Sequence, residues 1–171
     1  MTAYVALLRA VNVGGTGKLP MATLVQIARD AGLERVGTYI ASGNLVFESG
    51  KREADVREAL AERLSARAGR PAGVLVRTAA EMAGVLARNP FPDQPANRVM
   101  ALFTDEALPA DPLGGATGHA DERIVRGERE LFVFYPGGMA RTRLKLPAEV
   151  SGTARNMNTV AKLAEMAAAL A

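Results

Sequence analysis

The chain has 171 residues, with 21 Lys+Arg against 18 Asp+Glu, one His, no Cys and no Trp. Without cysteine there is no thiol nucleophile, no disulfide and no Cys-held zinc or iron–sulfur cluster, and a single histidine excludes every multi-His metal site. At 49% hydrophobic and 23% charged it is an ordinary globular chain of one domain or two small halves.

No apolar run approaches the roughly 18 residues that a bilayer crossing needs. No basic-then-apolar start marks a signal peptide, so a cytoplasmic chain is expected, with no metal and no cofactor. The net charge of +3 is modest, and where the basic residues fall matters more than their sum. Segment 141–162 carries Arg141, Arg143, Lys145, Arg155 and Lys162 against one acid, Glu149.

In chain order, the short apolar run 3–8 fits a central strand, and a glycine-rich loop follows over 12–19. Pro20 suits the first turn of a helix with Met21, Leu24, Val25 and Ala28 on one face, and Gly32 ends it by taking positive φ. Residues 35–40 and 45–48 read as strands joined by a tight turn at Ser42-Gly43-Asn44. An amphipathic helix over 52–68, with Val56, Ala59, Leu60 and Leu64 inward, breaks at Gly69-Arg70-Pro71 and leads to a strand over 73–77.

This order is that of a split βαβ, ferredoxin-like βαββαβ unit. The second half predicts a helix over 79–88, a strand over 98–104 and a long connection over 105–119. Strands over 122–126 and 130–135 then pair across Gly127-Glu128. A basic, irregular stretch over 141–152 and a closing helix over 156–170 complete the chain. No exact internal repeat is visible, although both halves use mixed strands covered by helices. The expected fold is α+β: a ferredoxin-like subdomain over 1–78 packed on a smaller α+β subdomain over 79–171.

The topology predicts where polar residues gather. In a βαββαβ unit the loop after the first strand and the turn after the second share one sheet edge. That edge would collect Arg9, Asn12, Gly14, Gly15 and Lys18 with Ser42, Gly43 and Asn44, beside a helix N-terminus whose N–H groups favour an anion. The loop is no P-loop: aligned on Gly17-Lys18, Asn12 takes the first glycine's place and Leu19 that of the Ser/Thr. The dinucleotide pattern fails as well, at Pro20.

A second cluster, Thr153-Ala154-Arg155-Asn156-Met157-Asn158-Thr159, holds more polar side chains than one helix cap requires. Arg155 beside the N–H groups of a helix start can hold a phosphate or carboxylate, or it can tie down the irregular 141–152 stretch with the help of Asn156 and Asn158. His119 and the acidic pairs Asp105-Glu106 and Asp121-Glu122 read as solvated surface groups. The first unit lacks the paired aromatics and Lys/Arg-Gly-Phe-type run of an RNA-recognition sheet.

These clusters carry a resemblance. Leu8-Arg9-Ala10-Val11-Asn12-Val13-Gly14-Gly15, followed by Lys18 and Met21, resembles the Leu-Arg-Gly-Ile-Asn-Val-Gly-Gly…Lys…Met opening of the bacterial family called domain of unknown function 1697. Tyr39-Ile40-Ala41-Ser42-Gly43-Asn44-Leu45-Val46-Phe47 is similar to its Tyr-Ile-X-Ser-Gly-Asn-Val-Val-Phe hairpin. Arg141-Thr142-Arg143-Leu144 is similar to its Arg-Ser-Lys-Leu segment, and Thr153 to Val160 to its Thr-X-Arg-Asn-Trp-Asn-Thr-Val signature. Ala10, Thr142 and Met157 stand where the family has Gly, Ser and Trp. The resemblance implies a small cytoplasmic bacterial α+β protein of two subdomains, and implies no activity.

The residues therefore point first to a binding protein for an anionic ligand: a nucleotide, a nucleic acid or a phosphorylated metabolite. Arg9, Lys18, Arg141, Arg143 and Arg155 would supply charge, and Asn12, Ser42, Asn44, Asn156 and Asn158 hydrogen bonds. A transferase or hydrolase acting on a phosphorylated substrate by positioning and charge stabilisation is the second reading, although no general base stands out. A structural or protein-interaction module, its edge residues mutually satisfied, is the third. The sequence does not fix an oligomeric state.

Overall fold

The computed structural model describes residues 1–9, 19–41 and 43–171. Contacts divide them into two compact units, Met1–Met82 with Leu163–Ala171, and Ala83–Lys162.

In the first unit β1 (Thr2–Leu8) is the apolar run, buried from Ala3 to Leu8. α1 (Met21–Asp30) starts after Pro20, and Gly32 past its end has φ +81°, as expected. β2 (Glu34–Thr38) and β3 (Asn44–Ser49) form the predicted hairpin, α2 (Glu53–Ala68) follows, and β4 (Val74–Thr78) completes an all-antiparallel sheet in the order β2-β3-β1-β4. β3 lies between β1 and β2, as the split βαβ connection requires. One sheet face is apolar at alternate positions, and Tyr4, Ala6, Leu8, Phe47 and Val76 meet Leu24 and Ala28 of α1 and Val56, Leu60 and Leu64 of α2. Each fully buried Leu or Val there contributes about 1.5–3 kcal/mol relative to an exposed one.

α3 (Ala79–Ala87) begins with a capping box: the Glu81 N–H donates to the Thr78 hydroxyl at 3.1 Å, and the Thr78 N–H to the Glu81 carboxylate at 3.2 Å. The second unit contains β5 (Val99–Phe103), β6 (Arg123–Arg126), β7 (Glu130–Phe134) and β8 (Thr153–Asn156), and from it runs α4 (Met157–Leu170). β6 and β7 pair across the predicted Gly127-Glu128 turn. Thr153–Asn156, expected to be the approach to a helix, is instead an edge strand. The open side of β5 takes it up, pairing Phe103 with Thr153 and Met100 with Asn156.

The two sheets repeat one plan: the second has the order β6-β7-β5-β8. Val5 pairs with Arg77 on β4, and Ala101 with Arg155 on β8, in the same register. Both arginines are buried, and each immediately precedes a helix cap. Leu7 pairs with Asn44 and Phe103 with Glu130, and both of these polar partners are buried at the start of a strand that leaves a hairpin turn. The difference lies in the connections. α1 and α2 cross over the first sheet, whereas segments 104–122 and 135–152 of the second unit hold only one turn of 3-10 helix, at Pro147–Val150. Leu108, Leu144 and Leu146 from these segments close over Leu102, Leu131 and Val133 in place of helices.

Candidate functional site

The residues singled out from the sequence divide between the units. In the first, Asn12, Gly14, Gly15, Lys18 and Ser42 lie outside the described residues. The Leu8 N–H donates to the Gly43 carbonyl at 2.9 Å and the Arg9 N–H to the Gly73 carbonyl at 3.0 Å, so the end of β1 and the hairpin turn do share one edge. The Arg9 stem lies over Gly73, where an added Cβ would come within 2.8 Å of its Cδ. Asn44 is wholly buried, and its side-chain amide donates to the Tyr39 carbonyl at 2.9 Å, which closes the hairpin.

In the second unit, Arg155 stands two residues before α4. It sits within β8, 6% exposed, and its guanidinium donates to the Thr153 hydroxyl at 2.7 Å and the Ala154 carbonyl at 3.0 Å. Burial pulls its pKa down to about 10. Asn156 is the cap of α4: its side-chain oxygen accepts the Thr159 N–H at 2.9 Å. Asn158 is exposed on the first turn. Met157, in the place of the family's Trp, is buried in the core.

Arg141 and Arg143 belong to a different feature, a pocket of about 400 Å³ formed by Gly118, residues 120–122, Tyr135, Gly137, Gly138 and 141–143. Adjoining these segments in the chain is a short antiparallel bridge in which the Thr117 and Lys145 N–H groups each donate to the other's carbonyl, at 3.0 and 2.8 Å. Next to it Gly118 has φ +71°, and an added Cβ would strike the Arg143 carbonyl, so only glycine allows the two segments to approach. Glu122 ties two of the lining segments together. Its carboxylate accepts the Ala120 N–H at 2.9 Å and the Thr142 hydroxyl at 2.8 Å, and its carbonyl accepts Nε2–H of the exposed His119 at 2.6 Å.

The Ala120 and Thr142 hydrogen bonds, the former larger, hold the Glu122 carboxyl below its ordinary range. Glu122 thus corrects the expectation of a solvated acidic pair: it is 6% exposed, whereas Asp121 beside it is exposed as expected.

Four polar side chains of the pocket make no hydrogen bond or ion pair with any described residue: Arg141, Arg143, Asp121 and the Tyr135 hydroxyl. Tyr135 is 4% exposed, and its ring belongs to the core with Leu144 and Leu146. Every fully enclosed polar side-chain atom among the described residues has a partner, so the unpaired phenol must open to the pocket it lines. Desolvation, helped by Glu149 and Glu122, pushes its pKa up to about 12, which keeps it a donor at neutral pH.

Sequence reasoning found the two arginines and missed Tyr135 and Glu122. Their signal was the last aromatic of an apolar, aromatic-rich predicted strand and an acid beside Asp121, neither distinctive. A second recess, of about 470 Å³, is lined by Asp105, Glu106 and Asp111 with no Lys or Arg, and does not suit an anion. Among the described residues no cluster of His, Asp or Glu is placed to hold a metal ion, and no helix is long and apolar enough to cross a membrane.

The molecule is thus an α+β protein of two units with twin four-stranded antiparallel sheets, one of which carries an arginine-lined pocket in its irregular cover. The chain belongs to the family described as "Protein of unknown function (DUF1697)", whose profile matches residues 1–132. The Arg141–Leu144 and Thr153–Val160 segments lie beyond that match. Among solved structures it is similar to the conserved bacterial protein SP0830 from Streptococcus pneumoniae, with 28% identity over 97% of this chain and 98% of that one and a TM-score of 0.80. The sequence matches no curated protein.

Proposed function

We propose that this protein binds a small anionic, phosphate-bearing ligand in the Arg141–Arg143 pocket of its second unit. The observation that carries the reading is a recess of about 400 Å³ lined by two arginines that form no ion pair with any described carboxylate, Asp121 and Glu122 of the same lining included. That volume lies within the range of small-molecule sites, and guanidinium groups suit phosphate oxygens by shape as well as charge. The one buried acid at the pocket, Glu122, already accepts hydrogen bonds from protein donors and fixes Thr142 between the two arginines.

Thermal-shift measurements across phosphomonoesters and nucleotides test this reading. The parent should be stabilised by at least one of them, and Arg141→Ala/Arg143→Ala should abolish the shift while melting within about 1 °C of the parent, since both side chains are exposed. If parent and double variant respond alike, the pocket is not the site. A nucleic acid ligand would show affinity falling with salt, log K changing by about 0.7–0.9 per phosphate contact for each log unit, whereas one phosphomonoester gives a shallow dependence. For the first unit we propose separately, on sequence grounds, that the loop carrying Asn12, Gly14, Gly15 and Lys18, with Arg9 and Ser42, favours an anion. Lys18→Ala should then weaken anion-induced stabilisation, and an unchanged response would count against it.

A further inference from the structure

We infer that the ligand of the Arg141–Arg143 pocket is a hydroxyl-bearing phosphate monoester of the sugar-phosphate class, selected by Tyr135 and Asp121; this rests on the anion reading proposed above. The starting point is the set of pocket side chains without a partner among the described residues. Two are cationic donors, one is a neutral donor and one is an anionic acceptor. Inorganic phosphate alone would answer the arginines and leave Asp121 facing a second anion, with no donor to satisfy it. A ligand that carries hydroxyl groups beside its phosphate answers all four: phosphate oxygens on Arg141 and Arg143, a hydroxyl proton donated to Asp121, and a ligand oxygen accepting the Tyr135 O–H.

Tyr135 is the stronger part of the argument. The residue is 4% exposed, yet its hydroxyl makes no hydrogen bond with any described residue, so the little surface it keeps presents an uncommitted donor to the pocket. Its ring is fixed among Leu144 and Leu146, so the hydroxyl is held in position before any ligand arrives. Such a donor discriminates well: a site built to hydrogen-bond a substrate group rejects an analogue that lacks it more sharply than an apolar wall rejects an extra methyl. The neighbouring groups support the same geometry. Thr142 is turned away onto Glu122, and Gly137 and Gly138 leave the rim without side chains.

The test is isothermal titration of the full chain with ribose 5-phosphate, inorganic phosphate, ribose and glycine, using the parent, Tyr135→Phe, Asp121→Asn and Arg141→Ala/Arg143→Ala. Ribose 5-phosphate should bind at least about tenfold more tightly than inorganic phosphate, and ribose and glycine should not bind. Tyr135→Phe keeps the ring and should weaken ribose 5-phosphate about fivefold, the worth of one neutral hydrogen bond, while leaving inorganic phosphate unchanged. Asp121→Asn, an exposed change, should narrow the preference in the same direction, and the double arginine variant should lose both phosphate ligands.

Equal affinity for the two phosphates, or a ratio unchanged in both Tyr135→Phe and Asp121→Asn, would overturn the sugar-phosphate inference and leave the anion reading intact. Binding of glycine in preference to ribose 5-phosphate would overturn it in favour of a zwitterion. If the parent binds neither phosphate ligand, the anion reading fails with it.

Discussion

Gly118→Ala is the most direct probe of how the pocket is built. The residue's φ of +71° costs an alanine about 1–2 kcal/mol by itself. The added Cβ would also meet the Arg143 carbonyl, a main-chain atom that cannot swing aside as a side chain would. Relief requires the 116–118 and 143–145 segments to part, which strains the two Thr117–Lys145 hydrogen bonds at 2.8 and 3.0 Å, together worth about 1–3 kcal/mol. The sum is about 3 kcal/mol, or roughly 6–12 °C in melting temperature for a chain of this size. Gly137 on the pocket rim supplies the control, because a Cβ there meets nothing within 4 Å and its φ is not positive. Gly137→Ala should therefore lie within about 0.5 kcal/mol of the parent. The assay is thermal denaturation of both variants, with hydrogen exchange of the Thr117 and Lys145 amides, which should accelerate in Gly118→Ala alone. Equal melting temperatures and equal exchange in the two variants would refute the close approach at Gly118.

Glu130→Ala should cost about 2–4 kcal/mol, because a carboxylate 2% exposed loses the Arg88 guanidinium at 2.8 Å and the Arg129 N–H at 3.1 Å; urea unfolding measures it, and a loss below about 1 kcal/mol would argue against the anchor. Asn156→Ala should lower stability by about 1 kcal/mol through the lost α4 cap, with Asn156→Asp recovering most of it. The Glu122 carboxyl, whose folded pKa is depressed, adds stability above the unfolded carboxylate pKa and loses it as pH falls through the lower folded value. Melting temperature against pH should therefore fall less steeply on the acid side in Glu122→Gln than in the parent. Tyr135, raised to about 12, should remain protonated above pH 10, and stability should drop as pH rises through the 10–12 window. Ultraviolet titration of parent and Tyr135→Phe separates that step.

Much of the first unit could be read from local signals. Pro20, Gly32 and Gly69 punctuate the helices, and the continuous apolar runs of β1, β3 and β4 mark them as buried strands. β8 could not be read this way. Thr-Ala-Arg-Asn has no apolar alternation, and it becomes a strand because the edge of β5, some fifty residues earlier, accepts it. The same non-local event buries Arg155, which in isolation looks like an exposed cation.

The pocket was half legible. Arg141 and Arg143 stand out as charge, but the order of their segment comes from Glu122, twenty residues away, and from Gly118, whose importance depends on a carbonyl that only the folded chain brings near. Asp121 and Glu122 are neighbours of like chemistry with opposite fates, and nothing in the dipeptide says which one turns inward.

The contrast between helical and non-helical crossovers has a consequence for divergence. A residue inserted into α1 or α2 rotates every later side chain by about 100°, so those connections are locked in phase with the strands they join. The 104–122 and 135–152 connections keep no such phase. They can lengthen, shorten or change composition while both ends stay anchored in the sheet. One half of the polypeptide is thereby a fixed frame, and the other is free to retune what it recognises.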